Sequence, residues 1–186
     1  MKKQEDLIPE GYNRVTEILT PYKNFTGVAP SVLANATSRG SITHDFCELY
    51  ALDMLIEIPP PHVNPFVESF KQWFDEYVDQ VIMTETRINH PKYRISGQFD
   101  LLLKFKGSDA LVLADYKTPE TADKTWVLQT AAYMILLEDI LGIKVDRRIC
   151  VMLDREGKYP KVIEYTNHER DKRLYINQIE MFRFFN

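Results

Sequence analysis

Two apolar runs joined by a tight turn constrain this chain more than any other feature. Residues 93–105 contain FDLLLKF, residues 110–117 contain LVLADYK, and Gly107 marks the turn between them. Runs that apolar, bounded by turn residues, read as neighbouring strands in the interior of a sheet. Yet each carries charge: Asp100 lies in the first, and Asp115 and Lys117 close the second. Side chains two apart on a strand share a face, so Asp115 and Lys117 point the same way, and the hairpin would bring Asp100 beside them. A bare D-x-K also describes a solvated edge pair. Inside an apolar strand that reading fails, because burying charge without a partner is costly. A divalent metal held by the two carboxylates would supply the reason, with the lysine handling a water or a phosphate. That is phosphodiester-cleaving chemistry.

The flanking segments say what covers such a sheet. Residues 11–19 are predicted as a short helix, 21–30 as a loop and 31–38 as one or two helical turns. A helix follows from Ser41, its expected N-cap, and stops at the prolines of 59–61. Asn64 is predicted to cap the next helix, with Pro65 in its first turn. Its apolar positions Phe66, Phe70, Trp73, Phe74 and Tyr77 recur at helical spacing. Residues 81–88 are predicted as a strand, 122–141 as an apolar helix stopped by Gly142, 147–154 and 161–166 as strands, and 167–184 as a closing helix. This order implies an α/β fold, a central mixed β-sheet flanked by helices on both faces. Residues 1–186 would form one domain, mainly helical over 1–80 and carrying the sheet core over 81–186.

Composition narrows the classes. A hydrophobic content of 45% and an aromatic content of 12% indicate a folded chain rather than a disordered one. No apolar run approaches the roughly 20 residues of a membrane helix, and MKKQEDLIPEGYN has no apolar stretch to serve as a secretory signal. Cys47 and Cys150 lack close-spaced partners. A zinc knuckle and an iron–sulfur cluster are therefore not expected, and buried free thiols in a reducing cytoplasm are. The net charge of −4 argues against a passive DNA coat. It leaves room for an acidic metal site with basic residues gathered locally. Lys92, Arg94, Lys104 and Lys106 flank the Asp100 strand, and Arg39 precedes His44, so these could track a phosphate backbone.

Further polar residues fall in order around the Asp/Asp/Lys set. His44 lies on an early helix. Gly97 and Asp100 form G-x-x-D on a strand, residues 115–118 read D-Y-K-T, and Trp126, Gln129 and Tyr133 form W-x-x-Q-x-x-x-Y on the helix that follows. In that order and on those elements, the chain resembles the PD-(D/E)XK nuclease superfamily, within it the RecB-like and lambda-exonuclease-like branch. The resemblance spans roughly residues 39–133. It implies a restriction-endonuclease-like core, with Asp100 and Asp115 as metal ligands, the Tyr116 main-chain carbonyl completing the shell and His44 as an extra ligand. It implies that Lys117 positions the attacking water and stabilises charge on the phosphate, while Gln129, Tyr133 and Arg39 organise the site or contact substrate. An oxygen-rich shell suits Mg²⁺ or Mn²⁺, and an imidazole tilts tolerance towards Mn²⁺. Lys117, beside two carboxylates, should stay protonated without metal.

Two carboxylates stay open. Glu48, one turn after His44, either orients that imidazole or faces water. Glu85 either lines the cleft or is a solvated strand residue. Trp126 reads as packing, His90 and His168 as loop or cap residues, and 146–148 (DRR) as a salt-bridged surface at a strand start. The function expected is a metal-dependent DNA nuclease, an exonuclease on linear ends in recombination, repair or phage DNA metabolism, in a bacterial or phage-infected cytoplasm. A helicase, a single-strand binding protein or a recombination protein are the partners that reading suggests. The chain has no Walker A sequence, hence no motor of its own. An endonuclease, or a catalytically silent binding module of the same fold, are the alternatives.

Overall fold

The computed structural model describes residues 8–23 and 26–186. The elements run β1 (Asn13–Arg14), α1 (Val15–Ile18), a 3-10 turn (Thr20–Tyr22), α2 (Pro30–Ala51), α3 (Asn64–Tyr77), β2 (Val78–His90), β3 (Ile95–Phe105), β4 (Leu111–Lys117), α4 (Thr125–Leu141), β5 (Arg147–Met152), β6 (Lys161–Glu164) and α5 (His168–Phe185). β2, β3 and β4 are successive antiparallel neighbours, β4 and β5 are parallel, and β6 returns antiparallel to β5. The short β1 pairs in parallel with the start of β3. The result is the mixed sheet that the element order implied, with six strands because β1 joins the five predicted ones. A parallel pair needs a long crossover, and α4 supplies it between β4 and β5.

Each face of the sheet is covered, which is why β3 and β4 are apolar along most of their length. On one side Leu136, Leu137 and Tyr133 of α4 and Ile179 of α5 pack with Phe99, Leu102 and Leu113. On the other, Phe70 and Trp73 of α3 and Cys47 of α2 pack with Leu101, Leu103, Val112 and Tyr116. Gly142 ends α4 in the left-handed conformation at φ +66°, its N–H donating back to Glu138.

Local expectations differ from the structure in instructive ways. The short helix of 11–19 shrinks to α1, because Asn13 and Arg14 are drawn into the sheet beside β3. The predicted pieces 31–38 and 41 onward are one helix of 22 residues that ends at Ala51, well before the prolines. Ser41 is therefore mid-helix rather than its cap, and Pro30 begins it instead. Gly40 did not break the helix, since an isolated glycine costs only about 1 kcal/mol relative to alanine. Asn64 is the first residue of α3 rather than its cap, which is Val63. Tyr77 falls outside the buried stripe and is exposed. Arg148, placed with a salt-bridged surface, is fully buried against Asp171, whereas Arg147 does pair at the surface with Glu164. The N-terminal segment read for a signal lies partly outside the described residues, as do 24 and 25 of the predicted loop. No helix among the described residues is long and apolar enough to cross a membrane.

Candidate active site

Strand register builds the site. Thr84 pairs with Leu101 and Thr86 with Phe99, so Glu85 stands opposite Asp100. Leu101 pairs with Ala114, which sets Asp100 level with Asp115, and Asp115 is itself in register with Cys150. A row of polar side chains thus runs across β2, β3, β4 and β5 through an otherwise apolar sheet.

Asp100 is 5% exposed, and its two oxygens have different partners. Oδ2 accepts the Tyr116 N–H at 2.8 Å, which ties β3 to the end of β4. Oδ1 lies 3.2 Å from His44 Nδ1, and Glu85 Oε1 lies 3.6 Å from the same nitrogen. His44 reaches this point from α2, with its ring 4.9 Å from that of Tyr116. Burial alone would lower the His44 pKa, but Asp100 and Glu85 outweigh it and raise it to about 10. His44, Glu85 and Asp100 each offer a ligand atom, all within 4.8 Å of one another.

Asp115 and Lys117 face α4, as their spacing required. Lys117 Nζ lies 2.5 Å from Asp115 Oδ2 and donates to Gln129 Oε1 at 3.1 Å. Gln129 Nε2 in turn donates to Asp115 Oδ1 at 3.4 Å and to the Tyr133 hydroxyl at 2.9 Å. Burial raises the Asp115 pKa to about 6, with Lys117 opposing and Asp100 adding to the rise. Burial would lower the Lys117 pKa, and the carboxylates of Asp115 and Asp100 more than reverse it. The lysine is therefore charged in the metal-free protein. Trp126 does more than pack, because Lys117 Nζ sits 5.8 Å from its ring centroid.

The remaining candidates divide. Glu48 does not touch His44; its Oε1 accepts the Thr84 hydroxyl at 2.8 Å. Arg39 is one residue from Gly40, where α2 passes Thr118, and its guanidinium stacks 5.4 Å from the Phe66 ring centroid. It lines a cleft of about 720 Å³ with Ser38, His62, Thr118, Glu120 and Arg155, directly beyond Lys117. Lys104 and Lys106 lie at the hairpin end instead, held by Asp109 and by the Asp75 carbonyl. Lys92 packs over Tyr93 in the β2–β3 turn. A basic track along β3 is not what the fold builds. His90 is buried and pairs with Asp139, and His168 begins α5.

Sequence reasoning passed over two residues. Gln98 donates to Glu85 Oε2 at 2.6 Å, and it sits inside the G-x-x-D motif, where it was readable. The Cys150 thiol points at Asp115 Oδ2, 3.8 Å away, and only the parallel pairing of β4 with β5 reveals that.

A buried polar cluster of this kind needs a reason in the structure, and it has features that fit a cation. Glu85 Oε1 is buried with no hydrogen-bond partner among the described residues. The donor set of carboxylate oxygens and one imidazole suits Mg²⁺ or Mn²⁺ chemistry.

The model of the PD-(D/E)XK nuclease superfamily matches residues 27–180. Among solved structures, a candidate exonuclease from Eubacterium rectale is similar over 97% of this chain and 80% of its own, with a TM-score of 0.55 at 13% identity. An alkaline exonuclease from Laribacter hongkongensis aligns over 94% of this chain and 91% of its own, with a TM-score of 0.43 at 13% identity. No curated protein matches significantly.

Proposed function

The chain belongs to the PD-(D/E)XK nuclease superfamily, and from that premise we propose that it is a divalent-metal-dependent deoxyribonuclease acting as an exonuclease on linear DNA. One observation carries the reading: the His44–Asp100 pair and the group of Asp115, Lys117, Gln129 and Tyr133, from four separate elements, are joined through the bond from the Tyr116 N–H to Asp100. A fold kept only for binding has no need of two buried carboxylates and a buried ammonium together. The candidate exonuclease from Eubacterium rectale is consistent with the exonuclease assignment.

His44, Asp100 and Asp115, with the Tyr116 carbonyl, would hold the metal. A cation bound there supplies Lewis-acid polarisation of the phosphate and a more acidic water. The residues do the rest. Lys117 places its ammonium where an attacking water and a non-bridging phosphate oxygen can both accept from it. Gln129 fixes that ammonium through Oε1 and holds Asp115 and Tyr133 through Nε2. Water adds to phosphorus as the ester P–O bond breaks, leaving a phosphate and a hydroxyl.

The test is digestion of end-labelled linear DNA and of a covalently closed circle, with Mn²⁺ or Mg²⁺, by wild type and Lys117→Ala. Loss of linear DNA with the circle spared is expected, slowed about 100-fold or more in the variant. Cleavage of the circle would make it an endonuclease. No cleavage with any metal by the folded protein would sink the enzyme reading in favour of a binding module.

A further inference from the structure

Side-chain alternation breaks where Glu85 faces Asp100. Phe99 and Leu102 are three apart yet pack in the same core layer beneath α4, which a regular strand forbids. On β2, Met83 and Ile88, five apart, share that layer too. At the same point Glu85 has φ +40° in the middle of a strand, a conformation that disfavours any residue with a Cβ. Backbone strain of this kind costs on the order of 1–3 kcal/mol and persists only where the surroundings over-determine it.

The surroundings do so here through side chains. Glu85 Oε2 is held at 2.6 Å by Gln98, whose own Oε1 accepts Arg87 Nη2 at 2.6 Å. Arg87 also donates to Ser96 at 3.2 Å, closing a brace across β2 and β3. The brace engages one carboxylate oxygen and leaves the other, Oε1, buried, without a hydrogen bond among the described residues, and 3.6 Å from His44 Nδ1. A carboxylate fixed through one oxygen, with only the His44 imidazole near the other, is prepared for a cation.

We propose that Glu85 is a direct ligand of the divalent metal, and that Gln98 positions it with Arg87 behind. This rests on the nuclease reading of the same site and adds a third carboxylate to it. A further negative ligand favours hard divalent cations and tightens their binding.

Binding is measured directly, without DNA, by the loss of the free Mn²⁺ signal in electron paramagnetic resonance and by metal-induced thermal stabilisation. Wild type, Glu85→Gln, Glu85→Asn, Gln98→Met and Asp100→Asn are compared, each checked for folding by circular dichroism. Asparagine tolerates positive φ, so Glu85→Asn preserves the backbone if Glu85→Gln does not fold. Both Glu85 variants should bind Mn²⁺ at least about 10-fold more weakly, with a smaller loss in Gln98→Met. Wild-type affinity in the Glu85 variants, with binding weakened in Asp100→Asn, would overturn the proposal and leave the nuclease reading standing. Unchanged affinity in Asp100→Asn as well would overturn both.

Discussion

His44 sits between two carboxylates, and its proton is what a cation must displace. With its pKa raised to about 10, the imidazole is charged at neutral pH in the metal-free protein and stands in for the metal between Asp100 and Glu85. Ligation requires the neutral ring, so metal binding expels that proton. The sign follows. Mn²⁺ affinity should climb as pH rises from 6 towards 9, and calorimetry at pH 7 in buffers of different ionisation enthalpy should report about one proton released. In the absence of metal the direction reverses for stability. A histidine raised from 6.5 stabilises the fold fully below 6.5, and that contribution is lost as pH rises through about 10. An Mn²⁺ affinity flat across this range would remove His44 from the ligand set. Asp115, raised to about 6, titrates below the same window and pushes metal binding in the same direction.

At the scale of elements, the site depends on how closely α4 approaches β3. A Cβ built on Gly97 would lie 2.5 Å from Leu136 Cδ1 and 3.0 Å from both Tyr133 Cε1 and Val15 Cγ2. The glycine of G-x-x-D is thus a packing requirement that lets the Gln129–Tyr133 face reach the carboxylates. Gly97→Ala should cost about 1–3 kcal/mol in urea unfolding. It should also lower kcat more than KM, because Tyr133 and Gln129 shift with the helix. A variant of wild-type stability would show that α4 has slack the structure does not suggest. The helix α2 teaches the converse. Its first half lies against the cleft rather than the core, with little apolar periodicity, so sequence divided it at Gly40. Its second half, with Thr43 and Cys47 buried, packs against α3 and β2.

Across the whole molecule, Arg148 marks where sheet, crossover helix and closing helix meet. It is fully buried, donates to the Val127 carbonyl at 2.7 Å and forms an ion pair with Asp171, itself 1% exposed. The pair ties the Val127–Thr130 turn of α4 to β5 and α5. Removing Asp171 strands the Arg148 charge in the interior, whereas removing Arg148 leaves Asp171 its second ion pair, with Arg170. Asp171→Leu alone should therefore destabilise by about 3–5 kcal/mol and Arg148→Met by less, while Arg148→Met with Asp171→Leu should recover part of the loss. Denaturant midpoints for the three variants check this, and strictly additive losses would contradict a buried pair.

Much of this protein was written in local sequence. Alternation and apolar runs place β3, β4 and α4, because each buries a face whose period is set by backbone geometry alone. The same spacing puts Asp115 with Lys117 and Gln129 with Tyr133, since side chains two apart on a strand or four apart on a helix are neighbours by construction. Distant pairings are different. That Arg148 meets Asp171, that Cys150 backs Asp115, and that Glu85, itself left-handed, faces His44 all depend on the register and packing of elements separated in the chain. Local propensity carries no information about such register. It is decided when the two faces of the sheet are buried together, and the polar row across β2 to β5 exists only once that packing is complete.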